Sequence, residues 1–472
     1  MTELKHECGL FGAYGCLDAT EKVYFGLYSL QHRGEESAGI ASTDGRSIIS
    51  HRGMGLVSTV FTAQKLKSLR NPAAIGHVRY STIGGSELRN AQPFVAEYSK
   101  GQVAIAHNGQ LVNTKELRAS LERIGAVFQT QTTSDSEVIL HLMAKPEYRD
   151  NLSGLLSDLK GAFSLLILTP GEMIAARDAN GFRPLCIGKL NDGYAVASES
   201  CALEQIGAQY LREVSPGEVI YIDKNGLRSE TFAPAKPSYC IFELIYFSRP
   251  DSMIYGENVH LFRKRLGAKL AEECPVEADI VIPVPEGGNS AAMGYSQASG
   301  IPLDRGFVRN HYVGRTFIQP HVEQRHQKVE IKLNAISNVV TDKRVIVVDD
   351  SIVRGTTSKS RLGLLRKAGA KEIHVRISCP PHRYPCYYGI DFQIKKELIA
   401  AVRPLEEITE FLEVDSLGYL SIEGLLSCTS SPKDYCVACF AGKYPVPAEI
   451  IKKAPEDSEE WEEKAGEHII VV

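Results

Sequence analysis

Two carboxylates stand side by side at the end of a β-branched run in KRVIVVDDSIVRGTTS, Lys343 to Ser358. Successive side chains of an extended chain point to opposite faces, so Asp349 and Asp350 can address different parts of one ligand, such as sugar hydroxyls and a cation. Arg354, Gly355, Thr356, Thr357 and Ser358 follow them. Exposed amides, hydroxyls and the positive end of a helix starting there form an anion seat, for which phosphate is the natural occupant. A second seat of this kind lies in ADIVIPVPEGGNSAAMGYSQASG, Ala278 to Gly300, where Glu286, Gly287 and Gly288 occupy the loop. Far upstream, Cys8 follows the polar stretch MTELKHE, and the pieces QHRGEESAGI, GHVRYSTIG, AHNGQLVN and TTSDSEVI carry Arg79, Asn108, Gly109 and Asp135. These are a thiol, an amide, a guanidinium and a carboxylate far apart in the chain. Each has a plain reading: a packed thiol, a turn, a surface charge, a helix cap. Cys436 and Cys439 form a CxxC pair that fits zinc, redox chemistry or chance.

The elements that must position these groups can be read from local pattern. Val345 to Val348 is a short apolar run of the kind that makes a strand buried on both faces, which implies a parallel sheet. A helix is expected from about Lys359 to Ala368, and another from about Ser290. Between about Gly161 and Phe232 the chain reads as strands separated by turns, with hairpin signals at Asp192-Gly193 and Asn225-Gly226. Antiparallel sheet is expected there. The segment FAPAKPSYC, Phe232 to Cys240, with Pro234 and Pro237, marks a crossing between domains.

At 472 residues the chain should form two or three domains. Hydrophobic residues make up 43% and charged residues 23%, as in ordinary globular proteins. A net charge of −4 gives no electrostatic case for nucleic acid. No apolar run reaches the ~18 residues of a membrane span, and MTELKHE is unlike a signal peptide, so a cytoplasmic enzyme without a membrane partner is expected. Eleven cysteines in such a chain argue for thiols, metal or catalysis rather than disulfides.

The Cys8 pieces in this order resemble class II glutamine amidotransferases, a group of N-terminal-nucleophile hydrolases. The resemblance implies that residues 1–7 are a removable leader and that Cys8 then bears the chain's α-amine. With a reference pKa near ~8, that amine can act as general base for the thiol. The thiolate attacks the glutamine carboxamide, a γ-glutamyl thioester forms and ammonia leaves. Asn108 and the Gly109 amide would hold the oxyanion, while Arg79 and Asp135 would bind the α-carboxylate and α-amine of glutamine. Glu35 stands where Gln is usual. Arg177, Asp178, Gly181 and Arg183 are read as structural or as part of the domain contact.

VVDDSIVRGTTS resembles the 5-phosphoribosyl 1-pyrophosphate (PRPP) signature of type I phosphoribosyltransferases. There the acid pair holds the ribose hydroxyls and Arg354 to Ser358 would hold the 5′-phosphate. PEGG would be the pyrophosphate loop, with Glu286, Gly287 and Gly288. Gly287 stands where many relatives have Ser, which affects magnesium expected at Gly287, Asp349 and Asp350. RNHYVGRTFIQP resembles the loop that closes over PRPP, with Arg315 as a pyrophosphate ligand.

The two halves together, from Cys8 to about Lys443, resemble the iron-sulfur type of amidophosphoribosyltransferase. That family implies an α/β protein: an N-terminal αββα sandwich over 8–235, a phosphoribosyltransferase domain with a mainly parallel sheet over 240–445, and an acidic tail over 446–472. It implies ammonia transfer from glutamine to C1 of PRPP, the first committed step of purine synthesis. Mg2+, purine nucleotide inhibition and a homo-oligomer, dimer or tetramer, are also implied. Cys240, Cys386, Cys436 and Cys439 would hold a four-iron four-sulfur (4Fe-4S) cluster; Zn2+ fits the ligand count equally well. The other six cysteines, at 16, 186, 201, 274, 379 and 428, are expected to be buried free thiols. A class II amidotransferase with another acceptor, such as a sugar phosphate, and a PRPP-sensing regulator are the competing readings.

Overall fold

The computed structural model describes residues 8–80, 87–130, 134–310, 333–392 and 394–446, together with the short strand Ile470–Val471. The leader, Arg315 with most of its loop, and nearly all of the acidic tail lie outside the described residues.

The N-terminal half is built on two antiparallel sheets. The first runs in the order Gln209–Glu213, Cys186–Lys189, Tyr194–Ala197, Gly9–Tyr14, Ala73–Arg79, Ser37–Thr43 and Ile48–Met54. The second runs Gly226–Thr231, Glu218–Asp223, Met173–Arg177, Gly161–Leu168, Gly101–Leu111 and Phe94–Tyr98. Both expected hairpins form: Cys186–Lys189 pairs with Tyr194–Ala197, and Asp223 lies opposite Gly226. Three separate apolar cores define four layers. One lies between the sheets, where Leu10, Ile75, Leu166 and Met173 meet. A second lies under the helix Ala19–Ser29, whose Val23 and Leu27 face Phe11 and Val78. The third lies beneath the helices Thr114–Arg123, Asp135–Met143 and Leu152–Asp158. Alternating inward residues on both sheets are what such stacking requires.

The second half carries a parallel sheet in the order Ile280–Pro283, Arg344–Asp349, Glu372–Ile377 and Ser416–Tyr419. Val345 to Val348 are fully buried in its interior, as an apolar run covered on both faces must be. The helix after the acid pair spans Thr356–Lys367, three residues earlier than the pattern suggested, because Gly355 at φ 77° turns the chain straight into it. The strand Tyr239–Cys240, at the end of the crossing segment, pairs in parallel with Tyr435–Cys436. The two halves share apolar packing, with Val112, Ala162 and Phe182 joining the core of the second half. Cys274 and Cys428 depart from the buried thiols expected, being only partly covered at a helix C-terminus and in a turn. Among the described residues no helix is long and apolar enough to cross a membrane.

Candidate functional site

Cys8 immediately precedes the strand Gly9–Tyr14, which pairs with Ala73–Arg79 so that Gly9 faces Val78. That register sets Arg79 beside Cys8, and the thiol lies 3.8 Å from the carbonyl oxygen of Tyr80. The Nε of Arg33 donates to the Cys8 carbonyl at 3.0 Å. Arg79 is buried and ion-paired to Glu36 at 2.5 Å. Glu36, the neighbour of Glu35, thus carries a charge that faces this guanidinium.

Asn108 and Gly109 sit in the strand Gly101–Leu111 of the facing sheet. The two sheets are tied here, because His77 Nε2 lies 3.1 Å from the His107 carbonyl. A carbonyl only accepts, so that nitrogen carries the proton; burial pushes the His77 pKa down to about 3 and keeps the ring neutral. The Nδ2 of Asn108 is buried and, among the described residues, has no hydrogen-bond partner. A buried amide donor left open is costly unless something arrives to accept from it, as an oxyanion would. Gly109 adopts φ 144°, and a Cβ there would lie 2.1 Å from the Ala162 carbonyl oxygen, so only glycine fits. Asp135 opens its helix with Oδ1 3.2 Å from His107 Nδ1 and Oδ2 accepting from the Leu111 amide at 3.1 Å. Burial raises its carboxyl, but His107 and the Leu111 and Ser136 amides outweigh this and hold it below its ordinary value.

In the second half both phosphate-type loops lie at the carboxyl ends of adjacent parallel strands, where ligands of open α/β sheets bind. The Val284 amide donates to the Val348 carbonyl, and a Cβ on Gly288 would come within 2.3 Å of the same oxygen. Asp349 and Asp350 are buried; the Asp350 amide donates to Asp349 Oδ1 at 2.9 Å, and Ser351 Oγ donates to Asp350 Oδ1 at 2.7 Å. Burial and then the Asp350 charge push the Asp349 carboxyl well above its ordinary value, against the pull of Arg361, whose Nη1 is 3.9 Å away. A cation would relieve that repulsion. Thr356, Thr357 and Ser358 form the first turn of the following helix. Arg354 is turned to Glu397, with Nε 3.0 Å from the carboxylate. Glu286 is exposed and accepts from Asn289 Nδ2 at 2.8 Å.

Cys240, Cys386, Cys436 and Cys439 line one cavity, together with Phe182, Phe242, Tyr388 and Tyr444. Strand pairing sets Cys240 opposite Cys436, and the Tyr388 amide points to Cys386 Sγ at 3.4 Å. Burial, followed by the charges of Cys436, Cys386 and Cys240, pushes the Cys439 thiol well up. Among the described residues no three His, Cys, Asp or Glu side chains gather closely enough to hold a single metal ion. The donor set and the shared cavity nonetheless fit a larger thiolate-bound group.

Arg33, Glu36, His107, Glu199 and Glu243 are the residues of this region to which the sequence assigned no role. Arg33 lay inside a motif, but its partners lie up to 210 positions away, and no local spacing announces them.

The profile of the glutamine amidotransferase domain matches residues 77–205, and that of the phosphoribosyl transferase domain matches residues 262–389. The chain is 50% identical over 452 residues to the amidophosphoribosyltransferase of Bacillus subtilis, covering 94% of each chain. It is 45% identical over 471 residues to that of Methanothermobacter thermautotrophicus, covering 98% of each. The solved glutamine PRPP amidotransferase of B. subtilis, complexed with ADP and GMP, superposes with a TM-score of 0.88 at 49% identity, covering 93% of this chain and 98% of that one. With both halves matched at this identity over nearly its whole length, the chain belongs to the amidophosphoribosyltransferase family.

Proposed function

We infer that this chain moves the amide nitrogen of glutamine to C1 of PRPP, giving 5-phosphoribosylamine, glutamate and pyrophosphate, the first committed step of purine synthesis. The observation that carries this is the joining, through one buried core, of a half that holds Cys8 at the end of one sheet and an open buried amide donor on the facing sheet, and a half that holds an acid pair between two phosphate-type loops. A phosphoribosyl transferase half of this kind favours PRPP over a sugar phosphate as acceptor.

Removal of residues 1–7 would leave the α-amine and the thiol of Cys8 on adjacent carbons of one residue, so the amine can take the thiol proton as sulfur attacks. Asn108 Nδ2 and the Gly109 amide receive the oxyanion. Arg79 and Asp135 orient glutamine by its charges, with Glu36 keeping the guanidinium in place. Across the domain contact, Asp349 and Asp350 hold the ribose hydroxyls, Gly355 to Ser358 seat the 5′-phosphate, and Glu286 to Gly288 with Arg315 seat the pyrophosphate. Asp349 and Asp350 would hold magnesium, which when bound would offset the pyrophosphate charge. Arg354, paired with Glu397, completes the phosphate loop on the side of the ligand.

Cys240, Cys386, Cys436 and Cys439 would hold a 4Fe-4S cluster that staples distant segments together and carries no electrons. That no three of the described His, Cys, Asp or Glu side chains gather around a single point supports a cluster over a lone zinc ion. Purine nucleotides act as feedback inhibitors in this reading, supported by the relative solved with ADP and GMP, and the enzyme works in the cytoplasm as a homo-oligomer.

Pyrophosphate release from PRPP, measured with glutamine and separately with ammonia, tests the assignment. Both nitrogen sources should support it, and release with neither would overturn the reading. Asp349→Asn and Asp350→Asn should weaken PRPP binding; unchanged affinity would remove the acid pair from the site.

A further inference from the structure

The backbone of Cys8 is held by an arginine of the first half that a residue of the second half grips in turn. Arg33 is fully buried and donates hydrogen bonds in three directions. Nε holds the Cys8 carbonyl at 3.0 Å, Nη1 holds Glu199 at 2.7 Å, and Glu243 takes both terminal nitrogens, Nη2 at 2.6 Å and Nη1 at 3.0 Å. Glu243 lies past the domain crossing, in the π-helical turn Glu243–Phe247. It is itself fixed, with no exposure, a hydrogen bond from Ser248 Oγ at 3.0 Å and Arg183 Nη1 at 3.5 Å. That turn is tied onward to the transferase half, since Arg263 on the helix Val259–Glu273 donates to the carbonyls of Leu244 and Ser248, each at 2.8 Å.

A second contact comes from the same side. A Cβ on Gly389 would lie 3.2 Å from the Gly109 carbonyl carbon and 3.3 Å from Arg183 Nη2, so the transferase half backs the oxyanion segment as well. The base and the nucleophile of this reaction both hang from the Cys8 Cα, and the third backbone substituent of that carbon is the carbonyl that Arg33 grips. Holding the carbonyl sets where nitrogen and sulfur point. A bidentate carboxylate is the group best suited to keep a guanidinium in one orientation.

We propose that Glu243 is a positioning residue for glutamine hydrolysis: the transferase half orients Cys8 through Arg33, so the glutaminase pocket is complete only when the two halves are in contact. This rests on the glutamine-dependent reading above and adds to it a residue that touches no substrate.

Glu243→Gln keeps the volume and one acceptor while removing the bidentate ion pair. Steady-state glutamine hydrolysis in the presence of PRPP should show kcat reduced on the order of 10- to 100-fold, as misplacement of a reacting group does, with KM for glutamine nearly unchanged. Ammonia-dependent synthesis, which does not use Cys8, should stay near that of the unaltered protein. Glu243→Asp keeps the charge but draws the carboxylate back by one methylene, and should give a smaller loss of the same kind; it decides the question if the Gln variant does not fold. Unchanged glutamine kcat, or equal loss with both nitrogen sources, would overturn the proposal. Failure of the unaltered protein with glutamine would instead overturn the functional reading.

Discussion

Asp350 fills the space that a side chain on Gly287 would need: a Cβ at 287 would come within 1.6 Å of Asp350 Oδ2. The absence of a hydroxyl in this loop is therefore coupled to the position of the acid pair. Gly287→Ala should push the Asp350 carboxylate off its hydrogen bond with Ser351. Disturbing a buried charged hydrogen bond costs about 1–3 kcal/mol, so PRPP affinity should fall by roughly tenfold or more. Titration of PRPP binding in the presence of magnesium measures this, and unchanged affinity would show that Asp350 can move without loss.

Cys8→Ala should abolish glutamine use and leave ammonia-dependent synthesis intact. Asn108→Ala removes the open Nδ2 donor and should lower kcat with glutamine by about 100-fold or more, with a small effect on KM, as loss of an oxyanion donor does. Parallel rates with the two nitrogen sources check both variants. Loss of ammonia-dependent synthesis in Cys8→Ala would mean that the halves are not separable in this way.

His382 is buried among the rings of Phe242, Phe392 and Phe440, and among the described residues neither ring nitrogen has a partner. Burial pushes its pKa from 6.5 down to about 3. The unfolded chain therefore binds a proton that the folded protein refuses, and stability falls as pH drops from about 6.5 toward about 3. Between pH 7 and pH 5 this one group should cost about 2 kcal/mol. In His382→Leu the loss of thermal stability between those two pH values should be visibly smaller. An identical loss in both proteins would place the proton elsewhere.

Cys436→Ser should empty the shared cavity of iron and loosen the strand pair that sets Cys240 opposite Cys436. Iron analysis and intact mass of anaerobically purified protein should show cluster iron and the absence of residues 1–7 in the unaltered chain. The variant should lose the iron and melt at lower temperature. Zinc in place of iron in the unaltered chain would decide for the four-cysteine alternative.

What the amino-acid order determined by itself is the chemistry that fits within about a dozen positions. The run Val345 to Ser358 spells strand, acid pair, loop and helix because each depends only on neighbouring side chains and backbone preference. Asp192-Gly193 and Asn225-Gly226 announced their hairpins for the same reason. The tertiary structure alone decided which distant groups meet. Glu36 on Arg79, Glu243 on Arg33, Gly389 against Gly109 and Cys240 beside Cys436 depend on sheet register and on burial of whole faces. A buried charge is tolerated only where another is delivered to it, and for Arg33 that partner comes from 210 residues further along the chain, a distance over which local propensity carries no information.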